Sequence, residues 1–315
     1  DFSAGGSEAF LPKNVTRQIG LFPLQQLDLD RLKLEAGARY EHTALTAMPR
    51  PDQPAFFSGQ RSFGTLSASA GVSYALSDGW RLGLNLSRAL RAPSAEELFA
   101  NGPHAGTQTF EAGDPDLLTE RSWGLEAVLR GKGERFSLDA SVFYNWFDNF
   151  IYEHQTGVIE DGLPVYAFRQ AAARYYGFEL QGTAKLASLG GFLLNADVMA
   201  DYVHARIIGE GPAPRIPPLR MLGGLTLNGT KWDFRAEVEW ADGQRRIAAF
   251  ETATPGFTMV NASVNFRPWG TERPLSFVLS ANNLFDVDAR RHASFLKDFA
   301  PLSGRDIRIT ARASF

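Results

Sequence analysis

Hydrophobic and polar residues alternate with a period of two along most of the chain. In the clearest run, residues 136–146, the even positions are Phe, Leu, Ala, Val, Tyr and Trp, and the odd positions are mostly polar. Because successive side chains of a β-strand point to opposite faces, this run predicts a strand with one apolar face. We predict thirteen such strands, near residues 17–28, 32–43, 63–76, 80–91, 120–131, 136–151, 174–186, 191–205, 217–228, 232–241, 257–267, 275–284 and 306–315.

Many of these predicted strands are longer than the five or six residues that are usual in soluble sheets. About ten tilted residues are needed to cross a bilayer. Charged residues such as Glu126, Asp139 and Arg235 lie on the faces opposite the apolar rows. A soluble β-sandwich would bury the apolar rows, whereas a membrane barrel turns them to lipid and lines a wet lumen with the charges. Aromatic residues at strand ends, such as Trp80 and Trp146, suit the interfacial girdles of a barrel.

The predicted connections alternate strictly between short and long, as in membrane barrels with tight periplasmic turns and long extracellular loops. The long ones cover residues 44–62, 92–119, 152–173, 206–216, 242–256 and 285–305. This favours an all-β fold, an antiparallel up-and-down transmembrane β-barrel, over a sandwich. We treat residues 1–315 as a single barrel region. Because single-chain bacterial barrels normally have an even number of strands, we expect thirteen strands to be the C-terminal portion of a larger barrel.

Composition excludes several other classes of protein. The 315 residues include no Cys, which excludes a disulfide scaffold, a thiolate zinc site and a Cys nucleophile. No run approaches eighteen apolar residues, so transmembrane helices are excluded. A net charge of −3 gives no basic surface for nucleic acid. We find no Gly-x-Ser-x-Gly elbow, phosphate-binding loop or dinucleotide fingerprint, and we predict that the protein is not an enzyme.

Several motifs resemble those of TonB-dependent outer-membrane receptors. They are the runs SRALRAPSAEELF at 87–99, GDPDLLTE at 113–120, YYGFEL at 175–180 and NNLFD at 282–286, followed by GRD at 304–306 and a terminal Phe. The residues that carry the resemblance are Arg91, Ala92, Pro93, Asp114, Pro115, Leu117, Gly177, Glu179, Asn283, Leu284, Phe285, Gly304, Arg305 and Phe315.

This resemblance implies a plugged barrel of 22 strands in the bacterial outer membrane, with the plug absent from these residues. It also implies contact with outer-membrane lipid, energy coupling through TonB by way of an N-terminal region, and recognition of Phe315 by the outer-membrane assembly machinery. The expected activity is uptake of a scarce metal or metal chelate. From a different class, a passive porin-like channel is the alternative, and a soluble β-sandwich binding module is the third possibility.

The five histidines all lie in long loops or at strand ends next to them: His42, His104, His154, His204 and His292. Histidine is the commonest metal ligand. His104 lies between the Arg-Ala-Pro and Asp-Pro-Asp-Leu motifs, a position at which haem receptors of the resembled family carry a histidine. The residues around His104 are more similar to the zinc-uptake branch of that family.

The cargo stays open at this stage. A zinc site would combine His104 with Glu111 or Asp114, and with His154 or His204 from neighbouring loops. Haem would use one axial histidine and aromatic packing from Tyr152, Tyr166 and Phe168. A ferric siderophore would need mainly aromatic and arginine side chains, which are available in Arg169, Tyr175, Arg245, Arg246, Arg290 and Arg291. Zinc or haem is expected as a transported ligand, with no intrinsic cofactor.

Overall fold

The computed structural model describes residues 9–270 and 275–313. Within these ranges the chain forms one short helix and seventeen strands in a single sheet. The elements are β1 (Asn14–Leu21), β2 (Leu24–Leu29), β3 (Leu32–Ala47), β4 (Gly59–Ser77), β5 (Trp80–Arg91), α1 (Ala95–Phe99), β6 (Asn101–His104), β7 (Thr109–Ala112), β8 (Glu120–Lys132), β9 (Phe136–Glu160), β10 (Leu163–Leu189), β11 (Phe192–Ile207), β12 (Gly211–Pro212), β13 (Arg220–Asn228), β14 (Trp232–Ala241), β15 (Phe257–Phe266), β16 (Leu275–Asn282) and β17 (Asp306–Ala313). None of the helical segments in the described ranges is long and apolar enough to span a membrane.

The sheet is an antiparallel ladder that follows chain order. β1 and β2 both pair with β3 and act as one strand, which is interrupted at Phe22 and Pro23 because proline has no N–H to donate. From β3 the ladder continues through β4, β5, β8, β9, β10, β11, β13, β14, β15, β16 and β17. The thirteen predicted strands are therefore confirmed, and β6, β7 and β12 are short additions within the long connections.

The two faces of the ladder have the opposite character, as the alternation predicts. Outward-pointing apolar side chains remain exposed, for example Val142 at 57% and Leu225 at 52%. On the other face arginines pair with carboxylates across strands: Arg235 lies 2.6 Å from Asp197. Apolar rows without a packed partner layer and a charged opposite face define a membrane barrel wall rather than a sandwich.

The buried apolar residues collect at the end of the ladder that carries the long connections. The largest cluster contains Leu98 and Phe99 from α1, packed with Leu45 of β3, Phe63 of β4 and Ile151 of β9. The fold therefore has its compact interior among the loops, which is where a binding site requires a fixed framework.

One predicted connection is wrong. Residues 152–173 do not form a loop, because β9 continues to Glu160 and β10 already begins at Leu163. The turn between them is Asp161-Gly162, with φ angles of 52° and 79°. Asp-Gly with two positive φ angles is the usual two-residue hairpin turn, and this dipeptide is the feature of the sequence that predicts a hairpin here. The hairpin extends past Trp146 on the long-loop side, so its outer part lies outside the membrane.

The motif residues between β5 and β8 hold the base of the long connection. The guanidinium of Arg91 donates to both carboxylate oxygens of Glu97, at 2.8 and 2.9 Å, and to both oxygens of Glu120, at 3.0 Å each. Ser94 caps α1 and forms a reciprocal capping box with Glu97. The main-chain N–H of Ile151 also donates to Glu120 at 2.8 Å. Arg91 thus ties α1 to two barrel strands.

The later motifs are also structural. A Cβ atom on Gly177 would lie 2.0 Å from the main-chain oxygen of Tyr202, so only glycine fits at this position of the β10–β11 pairing. Asn283, which has a positive φ of 48°, donates from its amide nitrogen to the carbonyls of Val287 and Ser303. The N–H of Arg305 donates to Asp286 at 2.8 Å. Phe315 lies outside the described residues, and its role as an assembly signal stays a prediction.

Candidate metal-binding site

The candidate site is built by α1 and the β6–β7 hairpin, within the connection between β5 and β8. The capping box fixes the first turn of α1, so Glu97 turns back to Arg91 while its neighbour Glu96 is left for the site. The hairpin pairs His104 with Thr109. Its second strand also pairs in parallel with β10, which sets Glu111 opposite Tyr166. The site is therefore anchored to the extended β9–β10 hairpin.

His104 and Glu111 are in direct contact. The Nδ1 atom of His104 lies 2.6 Å from Oε1 of Glu111, and the hydroxyl of Thr107 donates to the same oxygen at 2.9 Å. The imidazole ring stacks on Phe10, with ring centroids 4.1 Å apart and an interplanar angle of 4°. Glu96 completes the group: one ligand atom from each of Glu96, His104 and Glu111 lies within 4.8 Å of the others.

The second carboxylate oxygen of Glu111 has no hydrogen-bond partner, although the residue is only 1% exposed. A buried and unpaired polar atom of this kind carries a desolvation cost unless a cation or proton satisfies it. Burial and the charge of Glu111 raise the pKa of Glu96 to about 7. Glu96 therefore binds a proton up to about neutral pH, and a divalent cation can take the place of that proton.

Sequence reasoning missed Glu96, because Glu96 and Glu97 both lie in the motif run 87–99 and the run alone does not show which carboxylate is left for a site. The available signal was the Ser-x-x-Glu capping box, which predicts a helix start and therefore a fixed first turn. In such a turn adjacent residues point in different directions. One imidazole and two carboxylates are donors that zinc accepts in proteins.

Three of the predicted binding residues line one cavity beside this group. The cavity has a volume of about 380 Å³, and Tyr152, His154 and Tyr166 contribute to its wall. Arg215 enters from the loop after β12, forms an ion pair with Glu153, and lies over the ring of Phe295 with its guanidinium carbon 3.9 Å from the centroid. The wall thus combines aromatic rings with charges of both signs.

The remaining predicted ligands lie in different surroundings. Nδ1 of His154 is 3.7 Å from a carboxylate oxygen of Glu210. His204 stacks on Tyr176, with centroids 4.8 Å apart, on the outward face of β11. Asp114 accepts the N–H of Asp116 at 2.8 Å and shapes a turn. The structure brings His104 and Glu111 together and does not place these three residues in their group.

A loop cluster closes the far side of the cavity. Glu251, which lines it, accepts the N–H of Arg215 at 3.0 Å, the N–H of Ala248 at 3.0 Å and the ammonium of Lys297 at 3.1 Å. Nε2 of His292 lies 3.1 Å from the same carboxylate. Burial alone would raise the pKa of Glu251, but the contacts with His292, Ala248 and Lys297 outweigh it and lower that pKa to about 2.

The architecture described so far defines an outer-membrane β-barrel with a polar site among its long loops. A sequence model described as "TonB dependent receptor-like, beta-barrel" matches residues 1–284. This chain therefore belongs to the family of TonB-dependent receptor β-barrels, whose location is the bacterial outer membrane.

The individual relatives share less than 30% sequence identity with this chain. Hemoglobin-haptoglobin utilization protein B of Neisseria meningitidis serogroup C is 28% identical over 186 residues, which cover 51% of this chain and 23% of that protein. Among solved structures, the copper transporter OprC aligns with a TM-score of 0.79 at 21% identity, over 96% of this chain and 48% of its own. The FrpB iron transporter of N. meningitidis (F5-1 variant) aligns with a TM-score of 0.73 at 16% identity, over 97% and 46%.

The chain spans about half the length of these solved structures and less than a quarter of the curated relative. The structural similarity confirms the barrel fold. The relatives are transporters and a utilization protein rather than enzymes, in line with the expectation from the sequence.

Proposed function

We propose that this chain forms part of a receptor that takes up a metal ion or metal complex with energy supplied through TonB, and that His104, Glu111 and Glu96 bind the metal. The observation that supports the proposal most strongly is the unpaired, buried oxygen of Glu111 beside the imidazole of His104. A cation bound there would satisfy that oxygen and remove the repulsion between the two carboxylates.

Zinc is the first candidate for the cargo. Nitrogen and carboxylate oxygen ligands suit Zn²⁺, and the group offers three protein ligands. Copper(II) accepts the same donors and binds such ligands more tightly in general, so copper is a necessary competitor in any test. The relative solved as a copper transporter makes that comparison relevant.

Haem is the second candidate. The curated relative is named for utilization of haemoglobin bound to haptoglobin. The cavity lined by Tyr152, His154 and Tyr166 offers an imidazole and aromatic rings, which are the groups that haem requires. If haem is the cargo, its absorbance band will shift on titration into the whole receptor, and His154→Ala will abolish the shift while His104→Ala does not.

Calorimetry on the full-length receptor tests the zinc proposal. We expect His104→Ala and Glu111→Gln each to weaken Zn²⁺ binding by about 10- to 100-fold, the range for loss of a ligand or its orienting partner. His42→Ala is the matched control, since His42 lies in β3 between Ile19 and Gly64. Unchanged affinity in both site variants would remove this group from the binding site.

Uptake in cells separates an energy-coupled receptor from a porin-like channel. In cells that lack TonB, we expect the metal to bind at the surface and not to be imported. Import that continues at the same rate without TonB would instead support passive diffusion. The family membership favours the first result, because the matched family is defined by dependence on TonB.

A further inference from the structure

The outward face of the ladder carries a cross-strand row of arginine and tryptophan side chains at its long-loop end. The registers place one residue from each of the five strands β5, β8, β9, β10 and β11 directly beside the next. In order across the sheet, the row consists of Arg88, Trp123, Trp146, Arg174 and Arg206. Strand parity puts these side chains on the same face as the exposed Val142, and so toward lipid.

A fourth arginine reaches the row from a loop. Arg246 donates from Nη1 to the hydroxyl of Tyr202 at 2.7 Å and lies 2.9 Å from Nδ1 of His204. Tyr202 and His204 precede Arg206 at alternate positions of β11, so they share its outward face. The guanidinium of Arg246 therefore contacts the outward face of the barrel wall.

These four arginines differ from those on the lumenal face. Arg220, Arg235 and Arg267 each form an ion pair with an aspartate. Among the ion pairs of residues 9–270 and 275–313, none includes Arg88, Arg174, Arg206 or Arg246. The guanidinium of Arg174 donates only to main-chain oxygens of Ala173 and Phe147.

The position of the row identifies the anion that it can bind. Trp123 and Trp146, stacked with centroids 6.5 Å apart, mark the interfacial girdle at which lipid headgroups lie. Arg88 lies over Trp123, its guanidinium carbon 5.1 Å from the ring centroid. Guanidinium groups bind phosphate with paired hydrogen bonds, and basic clusters at this depth bind anionic headgroups. An acidic residue, Asp148, lies two residues beyond Trp146, at a register shift between β9 and β10.

We propose that Arg88, Arg174, Arg206 and Arg246 form a binding site for the phosphate groups of an anionic glycolipid in the outer leaflet. Five adjacent strands make the row roughly 20 Å wide at about 4.8 Å per strand, which matches a headgroup with several phosphates better than a single free phosphate ion. The site is independent of the metal-binding group, which lies among the loops.

The test uses the full-length receptor in detergent, titrated with lipopolysaccharide and followed by native mass spectrometry. We expect the triple variant Arg174→Gln, Arg206→Gln and Arg246→Gln to bind at least about tenfold more weakly. Arg130→Gln is the matched control, because Arg130 is a lumenal arginine paired with Asp139. Lipopolysaccharide without phosphates should bind the unmodified receptor as weakly as the triple variant binds the intact lipid.

Three outcomes would overturn the proposal: equal binding by the triple variant, equal binding of the dephosphorylated lipid, or displacement of the lipid by millimolar inorganic phosphate. If the triple variant does not assemble, lipid binding is compared instead between the single variants Arg206→Gln and Arg206→Lys. The lysine variant keeps the charge and should retain most of the binding, whereas the glutamine variant should lose several-fold. Equal binding by these two variants would contradict the role of the charge.

Discussion

Nδ1 of His104 lies 2.6 Å from Oε1 of Glu111, although seven residues separate them in the sequence and Glu111 is almost wholly buried. The contact arises because the β6–β7 hairpin pairs their strands and then docks on β10. It leaves the other oxygen of Glu111 unpaired, and a carboxylate oxygen of Glu96 lies within 4.8 Å of one of the Glu111 oxygens. The central feature of the site is thus the Glu111 carboxylate, of which one oxygen contacts His104 and the other is buried without a hydrogen-bond partner.

The raised pKa of Glu96 predicts pH-dependent metal binding. With its pKa at about 7, Glu96 holds a proton below that pH, and the metal must displace it. Affinity for Zn²⁺ should therefore rise as the pH increases through 7, and Glu96→Gln should bind more weakly above pH 7 with a flatter profile. Calorimetry across this range measures both curves. Parallel curves for the two proteins would show that Glu96 does not take part.

The raised pKa of Glu96 also affects the stability of the folded state without metal, which should fall as the pH rises while the affinity for metal increases. A carboxyl group whose pKa is raised in the folded state stabilises that state at low pH, and the contribution is lost as the pH rises through about 7. Without metal, the α1 segment should exchange its amide hydrogens faster at pH 8 than at pH 6 after correction for intrinsic exchange. Zn²⁺ should reverse this difference, and Glu96→Gln should remove it.

The Glu251 cluster is predicted to hold three long connections together. Glu251→Gln removes the charge that compensates the buried Lys297, a loss of about 3 kcal/mol for a broken buried pair. We expect hydrogen exchange to accelerate in residues 208–219, 242–256 and 285–302 while the barrel strands stay protected. Because the pKa of Glu251 is about 2, unmodified protein should show no such loosening until the pH falls toward that value. Asp288→Asn is the control, because Asp288 is an exposed carboxylate that pairs with Arg290 inside a single connection.

Gly177 offers a test of the motif residues as structural elements. In Gly177→Ala the new Cβ would meet the main-chain oxygen of Tyr202 at 2.0 Å, so β10 and β11 must separate locally. We expect poor assembly, measured as loss of the heat-resistant folded band on a gel. Gly182→Ala is the matched control in the same strand, since its nearest neighbour is 3.4 Å away. Equal assembly of both variants would contradict this explanation.

The two faces of the wall can be distinguished with labels, because this chain contains no cysteine. A fluorophore attached at Val142→Cys should be quenched by brominated lipid, and one at the adjacent Ser141→Cys should not. Leu225→Cys and Thr226→Cys should give the same contrast. The measurement uses the full receptor in vesicles, with any cysteine outside this sequence replaced first. Equal quenching at adjacent positions would contradict the outward orientation of the apolar rows.

Most of the barrel wall was predictable because its strands follow from patterns between residues that are close in the sequence. Alternation fixes which face of each strand is apolar, and turn length separates the two ends of the barrel, so strands such as β5 and β14 match their predicted bounds. The β9–β10 hairpin was predicted incorrectly where the membrane no longer imposes a pattern. There, Asp161-Gly162 alone sets the structure, and only turn chemistry would have revealed it.

The site was predictable only in part. His104 and Glu111 share a short segment, so their proximity follows from a hairpin. Glu96 enters through the capping geometry of α1, which depends on Ser94 and Arg91 together. His204 faces outward because of strand parity, a feature already visible in the alternation of β11 but obscured by its position at a strand end. Long-range docking of loops carries no comparable signal in one sequence.

The most direct test of the account is to locate the metal. Crystals of the full-length receptor, grown with Zn²⁺ and measured on both sides of the zinc absorption edge, should give an anomalous peak within about 2.3 Å of His104 and of a Glu111 oxygen, with Glu96 as the third ligand. A peak elsewhere with none between these residues would contradict the proposed site. So would a fully loaded receptor in which Glu111 keeps its buried oxygen unpaired.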